Sequence, residues 1–116
     1  MRKQHGLFLF SLLVGSLLFA ACAGNGNPLD STSWQLDKYR DEEGEMVSVK
    51  TDTIVTALFQ ADKVSGIASC NNYNSSYQVD GDQLTFSPAA TTRKVCVDPL
   101  GIMTQEDAYL SALGQV

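Results

Sequence analysis

Three cysteines, Cys22, Cys70 and Cys96, have the widest chemistry open to them in this chain. Cys22 follows Leu17-Leu18-Phe19-Ala20-Ala21, at the end of an apolar run preceded by Arg2 and Lys3. A basic start, an apolar middle and small residues before a cut site make a bacterial secretory signal. Small residues followed at once by Cys resemble a lipobox, where the thiol is acylated with a palmitate-type chain before cleavage. From Leu7 to Ala21 the run falls short of the roughly 20 residues a membrane-spanning helix needs. Residues 1–21 are therefore read as a lipoprotein signal peptide, with a plain secretory signal as the alternative. Residues 22–31, with Ala23-Gly24-Asn25-Gly26-Asn27-Pro28, read as a flexible tether. No Asp follows Cys22 directly, which fits an outer-membrane anchor with the domain in the periplasm.

Loss of 21 of the 116 residues leaves 95, enough for one small domain. Arg2 and Lys3 leave with the signal, taking the formal charge from −5 to −7, so nucleic acid is not an expected partner. His5, the single histidine, leaves too, and with it the commonest general base and transition-metal ligand. One lipid attachment then leaves Cys70 and Cys96 as a pair in an oxidising compartment, read as a disulfide. Two unlinked buried thiols are the alternative reading. A redox-active pair is disfavoured, because Cys-x-x-Cys spacing is absent.

The remaining candidates for chemistry have plainer readings. Asp80-Gly81-Asp82 lacks the alternating oxygen ligands of a calcium loop and reads as a hairpin turn. Asp41 to Glu45 reads as a solvated acidic turn. Lys63 and Ser65 stand two apart on a strand, which gives no ground for an activated serine. Asn74-Ser75-Ser76 matches a glycosylation acceptor by chance. No phosphate-cradling glycine loop is visible. No catalytic, cofactor-binding or metal-binding set is assigned, and no enzymatic activity is expected.

The elements that must position these residues are mostly strands. The pattern predicts them at Ser33–Tyr39, Met46–Lys50, Thr53–Gln60, Val64–Cys70, Tyr77–Val79, Gln83–Phe86 and Thr91–Val97. Thr53–Gln60 is the most regular, with Val55, Ala57 and Phe59 on one face and Ile54, Thr56 and Leu58 on the other. The small residues Gly66 and Ala68 imply close approach by another element. Asn71–Ser76 reads as a polar loop. One helix is expected, capped by Thr104, with Ile102, Met103, Glu106, Tyr109, Leu110 and Leu113 on one stripe and Gly114 at its end. Glu106 is the polar exception on that stripe. The sum is a mainly β fold: six or seven short antiparallel strands curled around a core, with one C-terminal helix.

Trp34-x-Leu36, Ser65-Gly66-x-x-x-Cys70-Asn71, Tyr77 with its Asp80-Gly81 hairpin, Thr92-Arg93-x-x-Cys96, and Glu106 leading to Leu110 and Leu113 together resemble the META, or HslJ-like, domain of bacterial envelope lipoproteins. The resemblance covers residues 32–116. It implies a small, partly open, lipocalin-like β-barrel with a helix across it, exported, often lipidated, linked to stress responses and without established enzymatic activity. It also implies that Cys70, Asn71, Thr92, Arg93 and Cys96 are structural: a disulfide, with side-chain hydrogen bonds from Asn71 and Arg93 pinning adjoining loops. Arg93 as an anion-binding residue is the lesser reading. The family usually has Gly where Ser69 and Ser75 stand. Its members continue after the helix into a final strand pair, so a C-terminally truncated sequence is expected, with a partner-supplied strand as the alternative.

Two working expectations follow. The domain serves as a structural or protein-interaction module, in which Trp34 is either core or partner surface. Alternatively its interior, lined by Leu58, Phe59, Leu84 and Phe86, holds an apolar ligand such as a lipid tail.

Overall fold

The alternation in Thr53–Gln60 places Val55 and Phe59 in the core and leaves Ile54 and Leu58 on the outer face. The computed structural model describes residues 26–116. The signal-peptide reading and Cys22 lie outside the described residues. Nine elements follow in order: β1 (Thr32–Gln35), β2 (Lys38–Arg40), β3 (Met46–Ser48), β4 (Thr56–Gln60), β5 (Lys63–Ile67), β6 (Asn72–Asp80), β7 (Gln83–Phe86), β8 (Ala90–Thr91) and α1 (Ile102–Leu113).

The main sheet is antiparallel, in the order β1-β4-β5-β6-β7, with β8 also pairing β6. β2 and β3 form a separate two-stranded ribbon around the acidic turn. On the concave side Phe59, Val64, Ala68, Tyr73 and Tyr77 form the buried core, against which Tyr109, Leu110 and Leu113 of α1 pack. Phe59 and Tyr77 meet edge to face, with centroids 4.9 Å apart. Leu84 and Phe86 join this cluster as partly buried side chains, whereas Leu58 does not. The result is a curled half-barrel with one helix across it.

Gly66 explains the small-residue stretch of β5. A Cβ there would overlap the Thr56 carbonyl of the neighbouring strand, so only hydrogen fits. The Asp80-Gly81-Asp82 turn is a hairpin, with Gly81 at φ 61° and Asp80 facing Gln83 across the ladder. Asp41 Oδ1 accepts the amides of Glu43 and Glu45, which fixes the acidic turn from within.

Four sequence expectations change. Ser33–Tyr39 divides into β1 and β2, since only Thr32–Gln35 pairs with β4 and only Lys38–Arg40 with β3. Asn71–Ser76 is no loop: Asn72–Asp80 is the longest strand, because Tyr73, Ser75 and Tyr77 alternate inward. Of Thr91–Val97 only Thr91 is laddered; β7 and β8 both pair with β6 but one residue out of step, which marks a bulge between them, and beyond Thr91 the Asn71 side chain takes over the pairing with Lys94. The helix begins at Ile102 behind Gly101 (φ 82°), and Thr104 makes no cap hydrogen bond. Among the described residues no helix is long and apolar enough to cross a membrane.

Candidate functional site

Asn71 follows directly on Cys70 where β5 turns into β6, and its side chain is 3% exposed. Its amide uses every hydrogen-bonding position it has. Oδ1 accepts from Thr92 Oγ1 at 2.8 Å and from the Lys94 amide at 2.7 Å. Nδ2 donates to the Lys94 carbonyl at 3.0 Å and to Glu106 Oε1 at 2.6 Å. Towards Lys94 it therefore acts as a missing strand residue would, pairing with both N–H and C=O. The Thr92 amide donates to the Asn72 carbonyl, and Thr92 Oγ1 also accepts the Asn72 amide. One step on, Cys96 is disulfide-bonded to Cys70, with Cα atoms 5.9 Å apart. Together these contacts bind residues 92–96 to the end of β6 without a regular ladder.

Glu106 holds the other side of the junction. Its Oε2 accepts the backbone amides of Cys70 (2.9 Å) and Asn71 (2.7 Å), while Oε1 takes the Asn71 side chain. The residue is 3% exposed, so these three donors replace lost water. Gln105 beside it is fully buried. It accepts the Lys50 amide and donates to Thr53 Oγ1 and Ser69 Oγ. Ser69 stands at φ 110°, a conformation that favours glycine, where the family resemblance also places one. Gln105 and Glu106 thus fasten α1 to the corner that carries the disulfide.

The sequence-selected residues divide accordingly. Cys70, Asn71, Thr92 and Cys96 come together. Arg93, expected to pin a loop, is exposed and has no side-chain hydrogen bond among the described residues, because the Asn71 amide already fills that role. Lys63 donates to Ser76 Oγ and not to Ser65, which removes the serine–lysine pairing. Sequence reasoning missed Gln105 and the role of Glu106. The available signal was Glu106 itself, a carboxylate on an otherwise apolar helical stripe.

A second feature lies at the β1 edge. Trp34 is 57% exposed, yet it faces Ala57 across the ladder and so stands on the concave side. With Leu36, Val55, Ala57 and Tyr109 it lines a cavity of about 230 Å³. A neighbouring cavity of about 410 Å³ shares Leu36 and Tyr109 and extends along Tyr39, Ala108 and Leu113. Tyr109, which lines both cavities, shares a hydroxyl hydrogen bond of 2.6 Å with Tyr73, whose hydroxyl also donates to the Thr56 carbonyl at 2.8 Å. Burial pushes both phenols above their ordinary value; the shared bond pushes Tyr73 further up and partly offsets the rise at Tyr109. Among the described residues no group of three or more His, Cys, Asp or Glu side chains is placed to hold a metal ion.

The same fold occurs in a protein from Burkholderia xenovorans solved by NMR, 30% identical, with a TM-score of 0.62. The match covers 74% of this chain and 63% of that one, so this chain spans less than two thirds of its length. No curated protein matches. The family model of the META domain matches residues 27–116, a span that takes in the Asn71 junction, the disulfide and the Glu106 helix. This chain belongs to the META domain family.

Proposed function

We propose that this META domain works as a lipid-anchored protein of the bacterial cell envelope, acylated at Cys22, held at the outer membrane with its domain in the periplasm. Its role is non-enzymatic, stress-related and exercised through contacts with envelope proteins. The observation that supports a contact role is Trp34, a large indole left 57% exposed on the concave side of an edge strand. Exposed tryptophan beside an apolar recess is the residue type and setting in which binding energy concentrates. A second reading, a binding module for an apolar ligand such as a lipid tail, is favoured by the paired cavities along Leu36 and Tyr109.

Native mass spectrometry of the protein isolated from membranes, with and without Cys22→Ser, tests both. The expected result is a mass increment for acyl chains that is lost in the variant, with no further lipid retained and a protein complex weakened by Trp34→Ala. An unmodified Cys22 overturns the anchor. Noncovalent lipid retained by the wild type and lost in Trp34→Ala replaces the contact reading with the carrier reading. Trp34→Ala is expected to leave stability within about 1 kcal/mol, as for an exposed side chain.

A further inference from the structure

The segment that Asn71 and the disulfide hold down presents its side chains outward. Val95 and Val97 are each 82% exposed and Leu100 is 89% exposed, the three most exposed large apolar side chains described. Three such residues within six positions are not an incidental scatter. Arg93 and Lys94 precede them, both exposed. Lys50 stands at the other end of the segment: its Nζ lies 3.2 Å from the position a Cβ on Gly101 would take. Residues 26–116 carry six cations in all, Lys38, Arg40, Lys50, Lys63, Arg93 and Lys94, so half of them lie within residues 93–100 or against Gly101. The chain is otherwise acidic, and Asp30, Asp62, Asp80 and Asp82 stand at the opposite end of β5 and β6. Asp98 lies within the segment itself, and Asp52 stands two residues from Lys50.

We propose that residues 93–100 form a membrane-contact loop for anionic phospholipid surfaces, in which Val95, Val97 and Leu100 enter the headgroup boundary while Arg93, Lys94 and Lys50 meet lipid phosphates. Short apolar side chains flanked by cations are what interfacial insertion requires. A rigid presentation adds to it, since Asn71 and the Cys70–Cys96 bond order the loop before contact. The inference does not rest on the Cys22 anchor. Asn27 enters at Tyr77 and Asp30 at the β4–β5 turn, the far end of the hairpin from this loop.

Hydrogen–deuterium exchange on the full chain tests it, with vesicles of phosphatidylcholine alone or of phosphatidylcholine with phosphatidylglycerol. Because exchange is read locally, any attachment through the N-terminus does not mask the result. Exchange in peptides covering 93–100 is expected to slow several-fold on the anionic vesicles and to stay unchanged on the zwitterionic ones. The slowing is expected to vanish in a Val95→Ser/Val97→Ser/Leu100→Ser variant and to fall about fivefold for Arg93→Gln or Lys94→Gln. Each variant must keep its disulfide mass and thermal midpoint. Equal exchange with and without anionic vesicles overturns the proposal. Protection that survives the triple substitution, or that appears only when a protein partner is added, overturns it as well.

Discussion

Replacing Glu106 by Gln exchanges one carboxylate oxygen for an NH₂ group and tests the central junction. The carboxylate accepts three N–H donors, the Cys70 and Asn71 amides and Asn71 Nδ2. In the glutamine variant the carbonyl oxygen can take both backbone amides, but its NH₂ then faces the Asn71 NH₂. Asn71 cannot turn over to relieve that clash, because its Oδ1 already serves Thr92 and Lys94 and its Nδ2 the Lys94 carbonyl. Two bonds fall from charge-assisted to neutral strength, about 1 kcal/mol each, and one donor pair is stranded at about 1 kcal/mol or more. The expected loss is about 3 kcal/mol. For a domain of this size that lowers the unfolding midpoint by roughly 12–24 °C. Thermal and urea unfolding of the oxidised protein measure it, and Glu106→Ala, which strands all three donors, should cost more. A Glu106→Gln loss below about 0.5 kcal/mol would refute the reasoning.

Ser69 at φ 110° separates strain from hydrogen bonding: Ser69→Gly and Ser69→Ala both lose the bond from Gln105, but only glycine relaxes the backbone. The glycine variant is expected to be the more stable of the two by about 1 kcal/mol or more in urea unfolding, and equal midpoints would argue against strain. Tyr73 and Tyr109 are both pushed upward in the folded protein, so their protonated forms favour folding. Their contribution is complete below the unfolded value near pH 10 and is lost as pH rises above it. Urea midpoints should therefore fall beyond about pH 10, less steeply in Tyr109→Phe; a flat wild-type profile to pH 11 would contradict this.

Strand positions with apolar alternation were legible directly. Val55, Ala57 and Phe59 declared the inner face of β4, and Asp80-Gly81 declared its hairpin, because both signals are local. Asn72–Ser76 was misread since asparagine and serine have low strand propensity, while the inward alternation of Tyr73, Ser75 and Tyr77 needed tertiary cover to matter. Residues 92–97 looked like a strand from Val95 and Val97, which instead face outward, held by a side-chain amide that no periodicity reveals. Cys70 and Cys96 announced their bond through simple counting. Glu106 stood in plain view on an apolar stripe, but its donors come from a corner 35 residues away in the chain. The cavity beside Trp34 is assembled from β1, β4 and α1, and nothing in any one segment foretells it.

Because the Asn71 amide grips Lys94 by its main chain, the neighbouring outward positions owe the fold almost nothing. Arg93, Val95 and Val97 are thereby left to serve contact alone, while Thr92 and Cys96 keep the clamp shut. Such a layout separates the fastening from a surface that a combinatorial library can rewrite without loosening the fold. A short recognition sequence grafted between those two fixed points would be displayed in one conformation.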